Sequence, residues 1–268
     1  MHDTTVRQVT IAEEEGPRSR PSGVVVVLPA YNEEANVGKL LDRIRSAMHE
    51  SSLSYRVIVV DDGSVDRTPE ILAEYASRMP ITVTRHEVNQ GLGLAIRDGL
   101  YLAARSTPAN DVIVTMDSDE THPPDLIPRM VDMIREGRDV VIASRFQPGA
   151  RVCGLTLGRR VISYAASLTC RTLIPTPGVR DFTCGFRAYR CEVLQTALAR
   201  YGDDFIRAGG FQCMVDILLK LRRIGAAFGE APLVLRYDLK RGASKMRLGS
   251  TTLQTLVLLV RHRIGKSR

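Results

Sequence analysis

The sequence contains no tryptophan, and aromatic residues make up only 5% of its 268 residues. Proteins that bind single-stranded nucleic acid stack bases on aromatic side chains, so we expect no nucleic-acid partner. The five cysteines show neither CxxC pairing nor zinc-ligand spacing. Such a scattered, odd set is typical of reduced thiols in a cytoplasmic protein.

Long hydrophobic runs are also missing. The residues near position 1 do not include the apolar segment that a signal peptide requires. The longest apolar stretch near residue 268 covers residues 253–260, which is far shorter than the ~20 residues that span a bilayer. We therefore expect no membrane span. Residues 1–22 are polar and are predicted to be a mobile tail.

The net charge of +7 indicates acidic partners. Phosphates, anionic lipid and nucleic acid all fit a basic protein on charge alone. The choice among them depends on motifs.

Three apolar runs of mainly β-branched residues each lead directly into polar residues. Residues 24–28 precede PAYNEE, residues 57–60 precede DDGS, and residues 112–116 precede DSD. Such uniform runs are typical of strands buried on both faces of a parallel sheet. Helical patterns between them predict an α/β, doubly wound, mostly parallel sheet flanked by helices. Ligands of such sheets bind beyond the carboxyl ends of the strands, so we expect the polar segments to meet there.

Less regular patterns predict the remaining elements. A further strand is expected at residues 139–143 and ends in Ser144 and Arg145. Helices are predicted at residues 159–174 and 211–224, a loop at 181–186 and a strand at 233–235.

Asp117 and Asp119 alternate around Ser118 directly after a predicted buried strand. Two close carboxylates repel each other unless a cation or a proton compensates them. Carboxylate oxygens suit Mg²⁺ or Mn²⁺, which bind through carboxylates together with substrate phosphates. Solvated turn aspartates are the alternative, and the position beside two other polar strand ends favours a metal site. The DDGS and PAYNEE segments can likewise be read as a turn and a helix cap.

Together these segments resemble the catalytic domain of glycosyltransferase family 2, which has the GT-A fold. The matching stretches are LPAYNEE, VVDDGSVDRT, NQGLGLAIRDG and TMDSDETHPPDLI. Further stretches resemble the dolichol- or polyprenol-phosphate mannosyltransferase branch, namely ASRFQPGA, GRRVISYAAS, DFTCGFRAYR and RGASKMRLG. The resemblance predicts a GT-A glycosyltransferase domain over residues 23–247.

The resemblance implies an inverting, metal-dependent transferase that moves a hexose, with mannose favoured, from a GDP-sugar to a polyprenyl or dolichyl phosphate. The residues that it implies for binding the nucleotide-sugar donor are Pro29, Tyr31, Glu33, Val60, Asp61, Asp62, Asp117, Ser118, Asp119 and Arg145. Those implied for the acceptor or its phosphate are Arg159, Gln212, Arg241, Ser244 and Lys245. The implied metal ligands are Asp117 and Asp119, and the implied catalytic residues are Asp119, Arg145 and Lys245.

The chain departs from this branch at several positions. Glu120 stands where a leucine-like residue is usual, Thr121 where glutamine is usual, and Gln212 where a basic residue is usual. Leu239 replaces a further family arginine. Because two basic residues of the branch are replaced, a second function stays open. It is a transferase that uses another nucleotide sugar and a soluble acceptor, with Glu120 or Asp216 as a base.

The sequence disfavours two further classes of protein. A nucleotide-sugar-binding protein without turnover is disfavoured because both metal aspartates and Arg145 are present. A nicotinamide dehydrogenase would need a glycine-rich phosphate turn after the first strand, where PAYNEE stands instead.

Residues 248–268 combine apolar residues near helical spacing with basic flanks. They are predicted to form an amphipathic helix that lies on an anionic membrane surface. Packing on the protein's own core is the equally weighted alternative. The expected location is cytoplasmic, with or without peripheral contact at the cytoplasmic face of the membrane.

Overall fold

The computed structural model describes residues 23–207 and 210–240, except for the side chains of residues 157, 159–162 and 211. The predicted tail at residues 1–22 and the predicted helix at residues 248–268 lie outside the described residues. The same is true of three predicted site residues, Arg241, Ser244 and Lys245.

Within the described residues, nine strands form one large and one small sheet. They are β1 (Gly23–Ala30), β2 (Ser54–Asp61), β3 (Ile81–Arg85), β4 (Val112–Thr115), β5 (Val140–Ser144), β6 (Arg151–Cys153), β7 (Arg187–Arg190), β8 (Phe228–Pro232) and β9 (Val234–Arg236). The seven-stranded sheet has the order β3-β2-β1-β4-β7-β5-β8, and β6 pairs with β9 in the second sheet. Only β7 runs antiparallel to its neighbours in the large sheet. The predicted mostly parallel sheet is confirmed.

Seven α-helices accompany the strands in the described ranges. They are α1 (Val37–Glu50), α2 (Thr68–Ala76), α3 (Leu92–Arg105), α4 (Ile127–Arg135), α5 (Leu157–Leu173), α6 (Cys191–Tyr201) and α7 (Cys213–Arg223). Short 3₁₀ turns occupy Pro124–Leu126, Gly202–Ile206 and Gly210–Gln212. Within the part of the chain that the structure describes, no helix is long and apolar enough to span a bilayer.

The strands predicted at residues 24–28, 57–60, 112–116 and 139–143 are confirmed as β1, β2, β4 and β5, and the helical patterns between the strands are confirmed as α1, α2 and α3. Helix α1, for example, buries Val37, Leu40, Leu41, Ile44 and Met48 along one side, as the 3.6-residue period predicts. The helix expected at residues 211–224 is shorter because residues 210–212 form a 3₁₀ turn before α7.

Two strands of the large sheet, β7 and β8, were not predicted. Strand β7 has the sequence RAYR, which lacks an apolar alternation, yet all four of its residues are buried. The structure accommodates Arg187 there because its guanidinium donates hydrogen bonds to the carbonyls of Phe182, Cys184 and Met214.

Helix α3 packs very closely on the first two strands. A β-carbon placed on Gly99 would lie only 2.5 Å from Cγ1 of Val27 and 3.3 Å from Cγ2 of Val60. Both valines are fully buried, so neither has space into which to retreat. Gly99 therefore sets the distance between this helix and the strands that lead into the site.

Gly99→Ala is expected to lower the free energy of unfolding by about 1–3 kcal/mol because overpacking outweighs the better helix propensity of alanine. Gly158→Ala in α5 is the matched control, since a β-carbon there meets nothing within 4 Å. Urea unfolding of both variants measures the effect. Equal stability of Gly99→Ala and the unchanged chain would contradict this packing constraint.

Candidate active site

Polar segments that follow β1, β2 and β4 meet at one edge of the large sheet. The hydroxyl of Ser118 donates a hydrogen bond of 2.8 Å to the carbonyl of Pro29. The amide of Asn32 donates to the Ser64 hydroxyl, and the Asn32 side chain accepts from the amide of Val65, both at 2.9 Å. The predicted convergence of the three segments is confirmed.

The Asp119 carboxylate is held by two donors. Its Oδ2 accepts a hydrogen bond of 2.5 Å from Nζ of Lys240, and its Oδ1 accepts one of 2.6 Å from the Thr121 hydroxyl. Burial alone would raise the pKa of Asp119, but the charge of Lys240 and these hydrogen bonds outweigh it and lower the pKa. Asp119 is therefore an anion at neutral pH.

The neighbouring Asp117 is in a less favourable environment. About a third of its side chain (32%) is exposed, yet burial within the site raises its pKa, as does the charge of Asp119, while His122 opposes the shift. The amide of Asp117 donates to Nδ1 of His122 at 3.1 Å, and the His122 ring stacks on Phe186. The structure thus holds two carboxylates close together at the end of β4.

The donor set of this pair fits a divalent ion. Carboxylate oxygens are the ligands that Mg²⁺ and Mn²⁺ prefer, and substrate phosphates commonly complete their coordination. In residues 23–207 and 210–240, no group of three or more His, Cys, Asp or Glu side chains could enclose a metal by itself. The ammonium of Lys240 on Asp119 shows that this position already binds positive charge.

Arg145 follows β5 and forms a buried clamp with Asp181. Its Nε and Nη2 each donate a hydrogen bond of 2.7 Å to the Asp181 carboxylate, and Nη2 also donates to the Thr183 hydroxyl. Burial would raise the pKa of Asp181, but the charge and hydrogen bonds of Arg145 keep it lowered. The remaining nitrogen, Nη1, donates no hydrogen bond to any described residue, so Arg145 retains a free edge.

The segment after β9 joins the site from the other end of the sequence. The amide of Arg236 donates a hydrogen bond of 2.9 Å to the carbonyl of Thr121, and the amide of Tyr237 donates to Cys153. Nζ of Lys240 lies 5.9 Å from the centre of the Tyr237 ring. No sequence motif predicts a role for Tyr237 or Lys240. The only signal was that Lys240 adjoins the basic RGASK stretch.

Asp62, a predicted donor contact, holds the loop before α3. Its carboxylate accepts hydrogen bonds of 2.8 Å from the amides of Gln90 and Gly91 and one of 2.7 Å from Nδ1 of His86. The other ring nitrogen of His86 lies 3.0 Å from the Asp98 carboxylate. Asp62 therefore positions this loop, and its contact with a nucleoside stays a prediction.

Asp61 is a buried carboxylate with one oxygen that lacks a hydrogen-bond donor among the described residues. It is fully buried, with Oδ1 accepting from the amide of Ser64. Its Oδ2 has no hydrogen-bond donor among the described residues, although Nε of Arg85 lies 3.3 Å away. A buried carboxylate oxygen without a donor is rare, and a ligand N–H could satisfy it.

The remaining predicted site residues belong to several elements of the fold. Tyr31 and Glu33 follow β1, and Glu33 accepts a hydrogen bond from the Asn36 side chain. Val60 is buried within β2, Arg159 belongs to α5, and Gln212 ends the turn before α7. Their contacts with substrates stay predictions.

The two acids considered as bases differ in their surroundings. Asp216 is buried and pairs with Nζ of Lys220 at 2.7 Å, with both side chains 4% exposed. It is therefore poorly placed to accept a proton from a substrate. Glu120 lies next to Asp119 with a positive φ of 61°, a backbone conformation that is uncommon for non-glycine residues and occurs often near active sites.

The family model described as Glycosyl transferase family 2 matches residues 25–198. The chain belongs to glycosyltransferase family 2. It is 35% identical over 198 residues to a dolichol-phosphate mannosyltransferase of Pyrococcus furiosus, covering 74% of this chain and 52% of that protein. It therefore spans about half the length of that relative. It is also 33% identical over 230 residues to an undecaprenyl-phosphate mannosyltransferase of Micrococcus luteus, covering 84% and 88% of the two chains.

A solved structure supports the same fold. Glucosyl-3-phosphoglycerate synthase from Mycobacterium tuberculosis, solved with Mn²⁺, UDP and glucosyl-3-phosphoglycerate, superposes with a TM-score of 0.67 at 24% identity. The match covers 91% of this chain and 80% of that one. The GT-A fold predicted for this family 2 glycosyltransferase is thus confirmed, and the chain is an enzyme of the glycosyltransferase class.

A pH-dependent effect is expected from His86. Burial alone would lower the pKa of His86, but hydrogen bonds and charges from Asp62 and Asp98 outweigh it and raise the pKa. A folded-state pKa above the unfolded value adds stability that is fully present below about pH 6.5 and is lost as pH rises through the folded pKa. The loss of stability caused by His86→Gln should therefore be larger at pH 6 than at pH 9.

Denaturant unfolding at the two pH values measures this difference. His49→Gln serves as the control because His49 is an exposed residue of α1. A penalty for His86→Gln that is the same at both pH values would contradict a charged His86 in the folded protein.

Proposed function

We propose that the chain is an inverting, metal-dependent mannosyltransferase that uses GDP-mannose as donor and a polyprenyl phosphate as acceptor. The observation that carries the proposal is the gathering of Asp117, Asp119, Arg145 and Lys240 at one edge of the sheet. Anionic and cationic groups are both needed where a nucleoside diphosphate departs towards a phosphate acceptor. The names of the two mannosyltransferase relatives support this acceptor class.

Asp61, Asp62 and the loop before α3 form the proposed nucleoside pocket. The buried Oδ2 of Asp61 lacks a hydrogen-bond donor among the described residues. A ring N–H of the base would supply one. Asp62 fixes the backbone at Gln90 and Gly91 beside it, and GDP is favoured over UDP only on family resemblance.

Asp117 and Asp119 would hold Mg²⁺ or Mn²⁺. Such an ion, when bound, would neutralise negative charge on the diphosphate leaving group. The free Nη1 edge of Arg145 is suited to a phosphate oxygen because guanidinium groups bind phosphates through directed hydrogen bonds. Asp181 orients Arg145 for this contact.

A phosphate acceptor needs no general base because its oxygen is already anionic at neutral pH. The burial of Asp216 in an ion pair with Lys220 agrees with this. Direct attack on the anomeric carbon by that oxygen displaces GDP in one step and inverts the configuration there.

Peripheral membrane contact is part of the proposal, because polyprenyl phosphates reside in membranes. Tyr164 and Leu168, one turn apart on α5, are 56% and 48% exposed. Arg171 lies one turn further along α5. Exposed apolar side chains near a basic residue favour an anionic membrane surface. Salt-sensitive sedimentation with anionic liposomes is expected, and weakening by Tyr164→Ser/Leu168→Ser would locate the contact. A protein that ignores such liposomes at low salt would favour a soluble acceptor.

A second candidate function is transfer from another nucleotide sugar to a soluble phosphorylated acceptor. Gln212 and Leu239 stand where the polyprenol-phosphate branch resembled by this chain has basic residues. The superposed synthase was solved with UDP and a glucosylated phosphoglycerate. Neither observation outweighs the higher identity to the mannosyltransferase relatives.

Asp119→Ala should reduce mannosyl transfer from GDP-mannose to polyprenyl phosphate by about a thousandfold or more because it removes a charge-stabilising group. Asp132→Ala is the matched control, since Asp132 lies on α4 with its side chain 52% exposed. Mass analysis of the lipid product measures transfer.

The same assay is repeated with a panel of GDP- and UDP-sugars and with added EDTA. Unchanged transfer by Asp119→Ala, or full activity in EDTA, would contradict the metal assignment. Faster transfer from a UDP-sugar than from GDP-mannose would contradict the donor assignment.

A further inference from the structure

We propose that Lys240 is a displaceable internal counter-ion, which occupies Asp119 in the free enzyme and competes there with the divalent metal. This inference rests on the proposed metal dependence. It adds that metal loading is an exchange of one cation for another, and that the exchange releases the ammonium group beside the substrate phosphates.

The ion pair lies at the position that the metal would use. Nζ of Lys240 is 2.5 Å from Oδ2 of Asp119, and the two side chains are 16% and 11% exposed. A metal ion and an ammonium group that both contact Oδ2 of Asp119 would repel each other, because both are positively charged. Occupation by one cation therefore opposes occupation by the other.

The remaining contacts of Asp119 favour exchange over a permanent pair. Its Oδ1 is held by the side chain and the amide of Thr121, so the carboxylate keeps its orientation when Oδ2 changes partner. Lys240, by contrast, has a flexible side chain of four methylene groups. Among the described residues, Asp119 is the carboxylate that pairs with its Nζ.

The backbone around Lys240 keeps the group near the site after release. The Arg236 amide is bonded to the Thr121 carbonyl, and the Tyr237 amide is bonded to the Cys153 carbonyl. The Tyr237 ring lies 5.9 Å from Nζ, so a cation–π contact can hold the ammonium group when it leaves Asp119. Lys240 can thus turn to a phosphate oxygen of either substrate without a large movement of the chain.

The competition predicts a change in metal affinity that needs no substrate. Lys240→Met removes the charge but keeps an unbranched side chain, so Mn²⁺ should bind about tenfold more tightly to the free protein, as expected when an opposing ion pair is removed. Electron paramagnetic resonance of free Mn²⁺ measures the affinity. Lys39→Met is the matched control, because Lys39 is exposed on α1 and the same charge is lost.

Two further variants locate the effect. Lys240→Arg should restore the weaker affinity of the unchanged chain because it restores the cation. In the Asp119→Asn background, Lys240→Met should leave the Mn²⁺ affinity unchanged, since the competition takes place at Asp119. Circular dichroism confirms that each variant is folded, and Lys240→Gln replaces Lys240→Met if the latter is not.

The outcomes separate this inference from the proposed function. Equal Mn²⁺ affinity in Lys240→Met and the unchanged chain would overturn the competition while leaving metal dependence intact. Absence of Mn²⁺ binding in every variant, with or without GDP, would overturn the proposed metal dependence as well. Lower affinity in Lys240→Met would assign Lys240 a structural role and also reject the competition.

Discussion

The close approach of the Asp117 and Asp119 carboxylates at the end of β4 is the constraint on which the rest of the site depends. Two carboxylates held together in partly buried surroundings need compensating charge. Burial and the charge of Asp119 raise the pKa of Asp117, whereas the charge and hydrogen bond of Lys240 outweigh burial and lower the pKa of Asp119. Lys240 forms an ion pair with Asp119, and Nδ1 of His122 accepts a hydrogen bond from the amide of Asp117. The surrounding loops can be understood as the means by which these groups are brought to that strand end.

A second set of charged residues anchors the loop at residues 180–186. Arg145 binds Asp181 on one side of the loop, and the amides of Arg180 and Asp181 donate to Glu230 of β8. The guanidinium of Arg187 donates hydrogen bonds to the carbonyls of Phe182 and Cys184 in the same loop. Both arginines form hydrogen bonds with protein acceptors in place of water, because a buried charge without such partners would destabilise the fold. The loop lies so near Asp117 that a β-carbon on Gly185 would be 3.3 Å from its carboxylate.

The sequence was sufficient for the half of the fold that is locally encoded. Apolar runs and the residues after them predicted β1, β2, β4 and β5, and they predicted that the polar segments PAYNEE, DDGS and DSD meet at one edge of the sheet. The sequence did not reveal β7, because buried arginines satisfied by carbonyls leave no hydrophobic pattern. It did not reveal the Lys240–Asp119 pair either, since the two residues are 121 positions apart and only tertiary structure joins them. The DFTCGF stretch alone does not predict the role of Asp181, because its partner Arg145 lies in another element.

The reversed direction of β7 has a consequence for how such an enzyme can diversify. A parallel strand presents the residues that follow it to the substrate edge, whereas β7 presents the loop that precedes it. Helix α5 and residues 174–179 precede that loop, so their length and composition can vary without altering the strands that end at Asp61 or lead to Asp117. A lineage could thereby acquire a new acceptor by remodelling one insertion while its inherited nucleotide pocket remains intact.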